Sequence, residues 1–254
     1  MRDISYQLYS SRNFGPIERT LSMVAELGYT QVEGYAGLYS SDAVVQVLSE
    51  TLSRTGMTMP TSHFSLDMVR DTPDQVIATA RTLGIETIFV PHTSDQDQDA
   101  AGWARFGAAL ADAGKPLQDA GLGFGWHNHD FEFRVLGDAD QPLDLILSGS
   151  DSLKLEIDLA WVQVAQEDPV AWVNKYADRI AAAHLKDIAP QGTMADEDGW
   201  ADVGHGVMNW PALVAALNES TVVHLVAEHD NPSDDRRFAK RSLAAIRSMR
   251  WADR

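Results

Sequence analysis

Residues 153–187, LKLEIDLAWVQVAQEDPVAWVNKYADRIAAAHLKD, hold a strand, a helix and a second strand in succession. Residues 153–158 alternate Leu, Lys, Leu, Glu, Ile and Asp, the period-2 pattern of a strand. Residues 168–176 open on Asp168 and Pro169, and a proline suits a first helical turn because the donor it lacks is orphaned there anyway. Residues 180–186, IAAAHLK, return to an apolar run that ends in charge. Strands separated by a helix-length crossover form the parallel βαβ unit.

The unit recurs in both directions. Strands are predicted at 4–9, 30–34, 58–63, 86–91, 122–128, 153–158, 180–186 and 222–228, and helices at 16–27, 42–54, 73–83, 99–120, 142–147, 168–176, 210–217 and 234–249. Pro16 and Pro73 repeat the first-turn signal, and Gly28, Gly56, Gly84 and Gly121 follow helices where a left-handed stop is expected. Eight strand-helix units in 254 residues, close to the roughly 250 a closed barrel needs, predict an α/β fold: a single closed (β/α)8 TIM barrel spanning residues 1–254. A doubly wound open sheet is the structural alternative, but no G-x-G-x-x-G follows the first strand.

Composition narrows the function. Thirty-seven acidic against 20 basic residues give a formal charge of -17, a field that repels nucleic acid and anionic lipid. No nucleic-acid or membrane partner is expected. No run approaches the roughly 20 apolar residues of a membrane span, and the opening MRDISYQLYS lacks the basic and apolar regions of a secretion signal. A cytoplasmic protein is the expectation. The chain has no cysteine, so any metal must bind through His, Asp, Glu or water. Trp103, Trp172 and Trp210 are expected to pack helices on the barrel, with a homo-oligomer contact as the alternative.

In such barrels chemistry sits at the C-terminal strand ends. Strand two ends in Glu33, strand three in His63 and strand four in His92; strand five runs into HNHDFEF, 127–133. Strand six ends in Glu156 and Asp158, strand seven in HLKD and strand eight in EHDN. Alternation puts Lys154, Glu156 and Asp158 on one face, with Ala182, His184 and Lys186 on a second and His224, Val226 and Glu228 on a third. If these faces point inward, Asp158, His184 and Glu228 converge at the mouth. Lys154 and Glu156 then lie deeper, as an internal ion pair or network, with His224 structural. A fourth ligand is open among His127, His129, Asp130 and Glu132. A site rich in carboxylates with an imidazole suits Mn²⁺ or Mg²⁺, with Co²⁺ or Zn²⁺ as alternatives.

The segments WHNHDFEF, LEIDLAWV, HLKD, DVGHGVMNWPALVAAL and VAEHDNP together resemble the xylose isomerase-like sugar phosphate isomerase/epimerase superfamily, over the chain from about Leu122 onward. The resemblance implies one divalent metal held by Glu132, Asp158, His184 and Glu228, with His129 in reserve. It implies Glu132 and Glu228 as the acid/base pair, Lys186 reaching substrate oxygens, and His63, His127, His92 and Glu33 lining the pocket. The implied reaction is isomerisation or epimerisation of a sugar by proton abstraction beside a carbonyl through an enediolate on the metal. A lyase or dehydratase acting on an inosose or 3-keto sugar uses the same site. An endonuclease IV-like phosphodiesterase fits the acidity poorly, and a sugar-binding barrel without catalysis is the remaining alternative. With Lys186 and Arg134 as the cations expected at the mouth, a neutral sugar is the expected substrate.

Overall fold

The computed structural model describes residues 2–137 and 140–252; the remaining residues of the expected 1–254 span lie outside the described ones. Its strands are β1 (Ile4–Gln7), β2 (Gln31–Gly34), β3 (Thr58–His63), β4 (Thr87–Val90), β5 (Gly123–His127), β6 (Lys154–Asp158), β7 (Ile180–Leu185), β8 (Asp187–Ile188), β9 (Trp200–Ala201) and β10 (His224–Ala227). The helices are α1 (Ile17–Leu27), α2 (Asp42–Thr55), α3 (Leu66–Asp71), α4 (Pro73–Leu83), α5 (Ala100–Asp119), α6 (Pro142–Leu147), α7 (Leu159–Val164), α8 (Pro169–Lys175), α9 (Trp210–Glu219) and α10 (Asp235–Ser248). Strands β1 to β7 and β10 close a barrel in the order β1-β10-β7-β6-β5-β4-β3-β2, while β8 and β9 form a separate antiparallel pair. The closed (β/α)8 expectation holds, with all eight predicted strands in it.

Two six-residue helices and the β8–β9 pair were not expected. Helices of that length show less than two turns of periodicity. Helix α7 follows β6 without a loop because Asp158, the last strand residue, turns its carboxylate onto the backbone N–H groups of Ala160 and Trp161. Helix α5 lies so close on β5 that a Cβ at Gly114 would meet the Phe124 ring at 2.0 Å. A side chain there would push the helix off the strand that carries His127. No helix among the described residues is long and apolar enough to cross a membrane.

Outward faces such as Val32, Ile88, Phe124, Trp126, Ile157 and Leu225 join the helices in one buried apolar cluster. The inward face differs from the usual branched aliphatic filling of such barrels. Parallel register pairs Gln7 with Glu33, Glu33 with Thr61, His127 with Glu156, and Asp158 with His184, which stacks polar groups up the axis. Lys154 and Glu156 were expected in an internal ion pair or network; Glu156 is fully buried in a network with His63, His127 and His184, whereas Lys154 is exposed, at the opening of β6.

Candidate metal centre

Among the described residues, two overlapping groups of potential ligands form at the C-terminal end of the barrel. His127, Asp158, His184 and Glu228 make one, and His63, His127, Glu156 and His184 the other; all are buried, and in each the ligand atoms lie within 4.8 Å of one another. The three residues placed at the mouth by strand alternation are therefore together. Glu132 belongs to neither group. Its Oε1 accepts from Trp126 Nε1 at 2.8 Å and its Oε2 from the backbone of His129 at 3.0 Å, and Trp126 is on the opposite face of β5 from His127. The short 3₁₀ turn Phe131–Phe133 carries the glutamate behind the strand, on the face opposite His127 where strict alternation along HNHDFEF also puts it, and away from the ligand place that the resemblance implies. In the first group His127 takes the fourth place.

The second group lies beneath the first and shares two of its imidazoles. Glu156 Oε2 is 2.5 Å from His63 Nε2, 3.0 Å from His127 Nδ1 and 3.3 Å from His184 Nε2. Glu33 Oε1 lies 2.7 Å from His184 Nε2 and accepts from Gln7 Nε2 at 2.7 Å. His127 and His184 thus direct one nitrogen each at the interior carboxylates. The other nitrogen of each is available to the upper group, where His184 Nδ1 is 2.8 Å from Glu228 Oε2 and 4.0 Å from Asp158 Oδ2. A carboxylate behind a metal-binding imidazole fixes its tautomer and raises its basicity.

Charge is concentrated here. Burial opposes a cation on His184, but Glu156, Glu228 and Glu33 outweigh it and hold the imidazole pKa well above its ordinary value. Burial, with the Glu156 charge beside it, pushes Glu33 up to about 7, and burial pushes Asp158 up to about 6. Asp158 Oδ1 caps α7, and its Oδ2, like Glu33 Oε2 and Glu156 Oε1, is buried without a hydrogen-bond partner. Such atoms are costly unless a donor or cation meets them. The residues fit a divalent cation held by His127, Asp158, His184 and Glu228.

The remaining expected residues take distinct places. Lys186 is fully buried between Asp158 at 3.6 Å, Glu228 at 3.3 Å and Asp230 at 2.6 Å, with Trp161 and Trp200 over its ammonium. It holds these carboxylates and does not line the cavity. Asp230 as its partner was missed, although EHDN carried it. His63 and His127 line a cavity of about 1010 Å³ together with His129, His92 and Glu228. His129 stands edge-on to His127 at 5.2 Å; its Nδ1 is buried without a partner, and burial followed by the neighbouring His127 holds its pKa well below the ordinary value. His92 is exposed at the cavity wall, 3.1 Å from Gln96 Nε2. Arg134, expected near the mouth, pairs with Asp97; the cavity is lined instead by Arg70, itself bound to Asp67 and Asp71, and by Arg105.

Over residues 21–253 the chain matches the xylose isomerase-like TIM barrel. It belongs to that family. An inosose dehydratase of Lacticaseibacillus casei is 28% identical over 108 residues, which is 42% of this chain and 34% of that protein, so the match spans about a third of the relative. A sugar phosphate isomerase/epimerase from Parabacteroides distasonis superposes with a TM-score of 0.82 at 18% identity, covering 97% of this chain and 94% of that one. The IOLI protein with a binding zinc atom gives a TM-score of 0.70 at 13% identity, with 96% of each chain covered. At these identities the two structures establish the family's fold here, and the chemistry has to be argued from the site.

Proposed function

We propose that this member of the family is a divalent-metal-dependent sugar isomerase or epimerase that moves a proton on the carbon beside a carbonyl. The observation that carries the reading is the group His127, Asp158, His184 and Glu228, of which His127 and Glu228 line the cavity, with Asp158 Oδ2 buried, without a hydrogen bond and 3.6 Å from the Lys186 ammonium. Two imidazoles beside two carboxylates shift the preferred ion from Mg²⁺ toward Mn²⁺, Co²⁺ or Zn²⁺. Such an ion, when bound, polarises a carbonyl oxygen and acidifies the neighbouring C–H.

The chain's own groups supply the proton chemistry. Burial disfavours charge on Glu228, but Lys186 and His184 outweigh it and hold the carboxyl well below its ordinary range, so it is ionised and able to accept a proton. Its Oε2 is fixed by His184 and Lys186, which leaves Oε1 outside those contacts, and the residue lines the cavity. With Glu132 behind β5, the partner for a second face of the substrate is His129, neutral and lining the same cavity. Asp158, capping α7, and His184, braced by Glu33, keep the floor rigid.

The match to an inosose dehydratase favours a second reading, in which the same proton abstraction is followed by loss of a β-hydroxyl. Metal analysis of the purified chain, followed by exposure of candidate keto sugars to the metal-loaded protein in D₂O, tests both. One ion per chain and deuterium beside the carbonyl are expected, and the products separate isomer from dehydrated sugar. A chain that takes up no divalent ion, or loads it and labels no keto sugar, overturns the reading.

A further inference from the structure

The cavity extends well beyond the metal centre. Its floor is His63, His127, His129 and Glu228, but most of its wall comes from the segments after β1 to β4 and from α5, on the opposite half of the mouth. That half presents Tyr35, Leu66 and Phe106, with Gln98 and Arg105 among its polar groups. The aromatic wall is braced. Tyr35 meets Tyr9 edge-on at 5.3 Å, the Arg12 guanidinium lies 3.9 Å from the Tyr9 ring, and Phe106 stands edge-on to Trp103 and Trp126. Braced ring faces interleaved with hydrogen-bonding groups suit a ring with an apolar face and polar edges. The volume, about 1010 Å³, is at the top of the roughly 300–1,000 Å³ of pockets that enclose drug-sized ligands, and a single sugar ring over Glu228 leaves the β2–β4 side empty.

We propose that the substrate is a two-ring glycoside of a keto sugar, with the carbonyl on a ring carbon other than the anomeric one, whose reacting ring sits over Glu228 and whose second ring fills the compartment walled by Tyr35, Leu66 and Phe106. The inference rests on the sugar reading above and names the substrate class for that site. The second ring is either another sugar or an aryl group, which share an apolar ring face and, through their substituents, a polar edge.

The test measures binding by titration calorimetry on the Mn²⁺-loaded protein, using methyl glycosides, disaccharides and 4-nitrophenyl glycosides of the gluco and galacto series as carbonyl-free analogues that bind without reacting. A two-ring ligand should bind at least about tenfold tighter than its methyl glycoside, and Tyr35→Ala and Phe106→Ala should abolish that gain while leaving the methyl glycoside within about twofold. A gain confined to disaccharides assigns a sugar subsite, and one confined to nitrophenyl glycosides an aryl subsite. Tyr35 and Phe106 are both only partly buried, so either variant remains informative if the other fails to fold. Equal affinities throughout, or a gain that survives both substitutions, overturn the proposal. Labelling of one-ring keto sugars in D₂O would then still stand for the proton-transfer reading, and its failure would sink that reading independently.

Discussion

Glu33 Oε1 lies 2.7 Å from His184 Nε2, across the barrel from β2 to β7. The bond orients the imidazole from behind, so that Nδ1 faces Glu228 and Asp158. Removing the Glu33 charge should leave the fold intact and loosen the centre. Glu33→Gln is expected to weaken Mn²⁺ or Zn²⁺ binding by roughly 10–100-fold, read by calorimetric titration. Unchanged affinity would mean that His184 is held adequately by Glu156, 3.3 Å away, or is not a ligand.

Asp158 has two duties that substitution can separate. Oδ1 accepts from Ala160 and Trp161 at the start of α7, and Oδ2 faces the metal group. Asp158→Asn can keep the cap and should lose the ion; Asp158→Ala should lose both, costing a further amount of about 0.5–2 kcal/mol in metal-free stability. Urea denaturation of the two metal-free proteins checks this. Equal stability would show that the cap contributes nothing, and retained metal in both would remove Asp158 from the ligand set.

The barrel was legible because its evidence is repeated: eight apolar runs, each followed by a helical period, survive an error at any one end. The three-residue convergence of Asp158, His184 and Glu228 was legible for the same reason, since alternation along β6, β7 and β10 needs no knowledge of the loops. What failed was local. Glu132 is carried behind β5 by a single 3₁₀ turn, and Lys186 is sealed by Trp200, whose two-residue strand β9 returns to pair with the equally short β8 across the loop 189–199. The network through Glu33, Glu156 and His63 joins β2, β3, β6 and β7, so its pairing depends on barrel register that no single segment displays.

Acid stability should depend on a cluster outside the centre. Burial would raise the Glu197 pKa, but hydrogen bonds from Arg237 and Ser233 outweigh it and hold the carboxyl at about 2. The folded value is depressed below an unfolded value of about 4.3, so its stabilisation is complete above the unfolded pKa and is lost as pH falls through the folded one. Glu197→Gln should therefore lower Tm at pH 7, and the gap to wild type should narrow steadily between pH 5 and pH 2, roughly the window those two values set. A constant gap in thermal melts across that range would show that the Arg237 pairing carries no linked proton.

Glu132 provides the sharpest contrast between resemblance and geometry. As a ligand, its loss would empty the centre; as placed, its carboxylate satisfies the buried Trp126 indole and the His129 backbone, and burial pushes its pKa up to about 8. Glu132→Ala is expected to cost about 1–3 kcal/mol by leaving the Trp126 donor unmet in the protein interior, seen as a lower urea midpoint. Metal affinity should stay within about threefold of wild type, whereas His127→Ala should lose it. If Glu132→Ala instead binds no metal while its urea midpoint is unchanged, the turn Phe131–Phe133 must swing the glutamate past the edge of β5 when an ion enters, and His127 would then be a bystander to the ligand set.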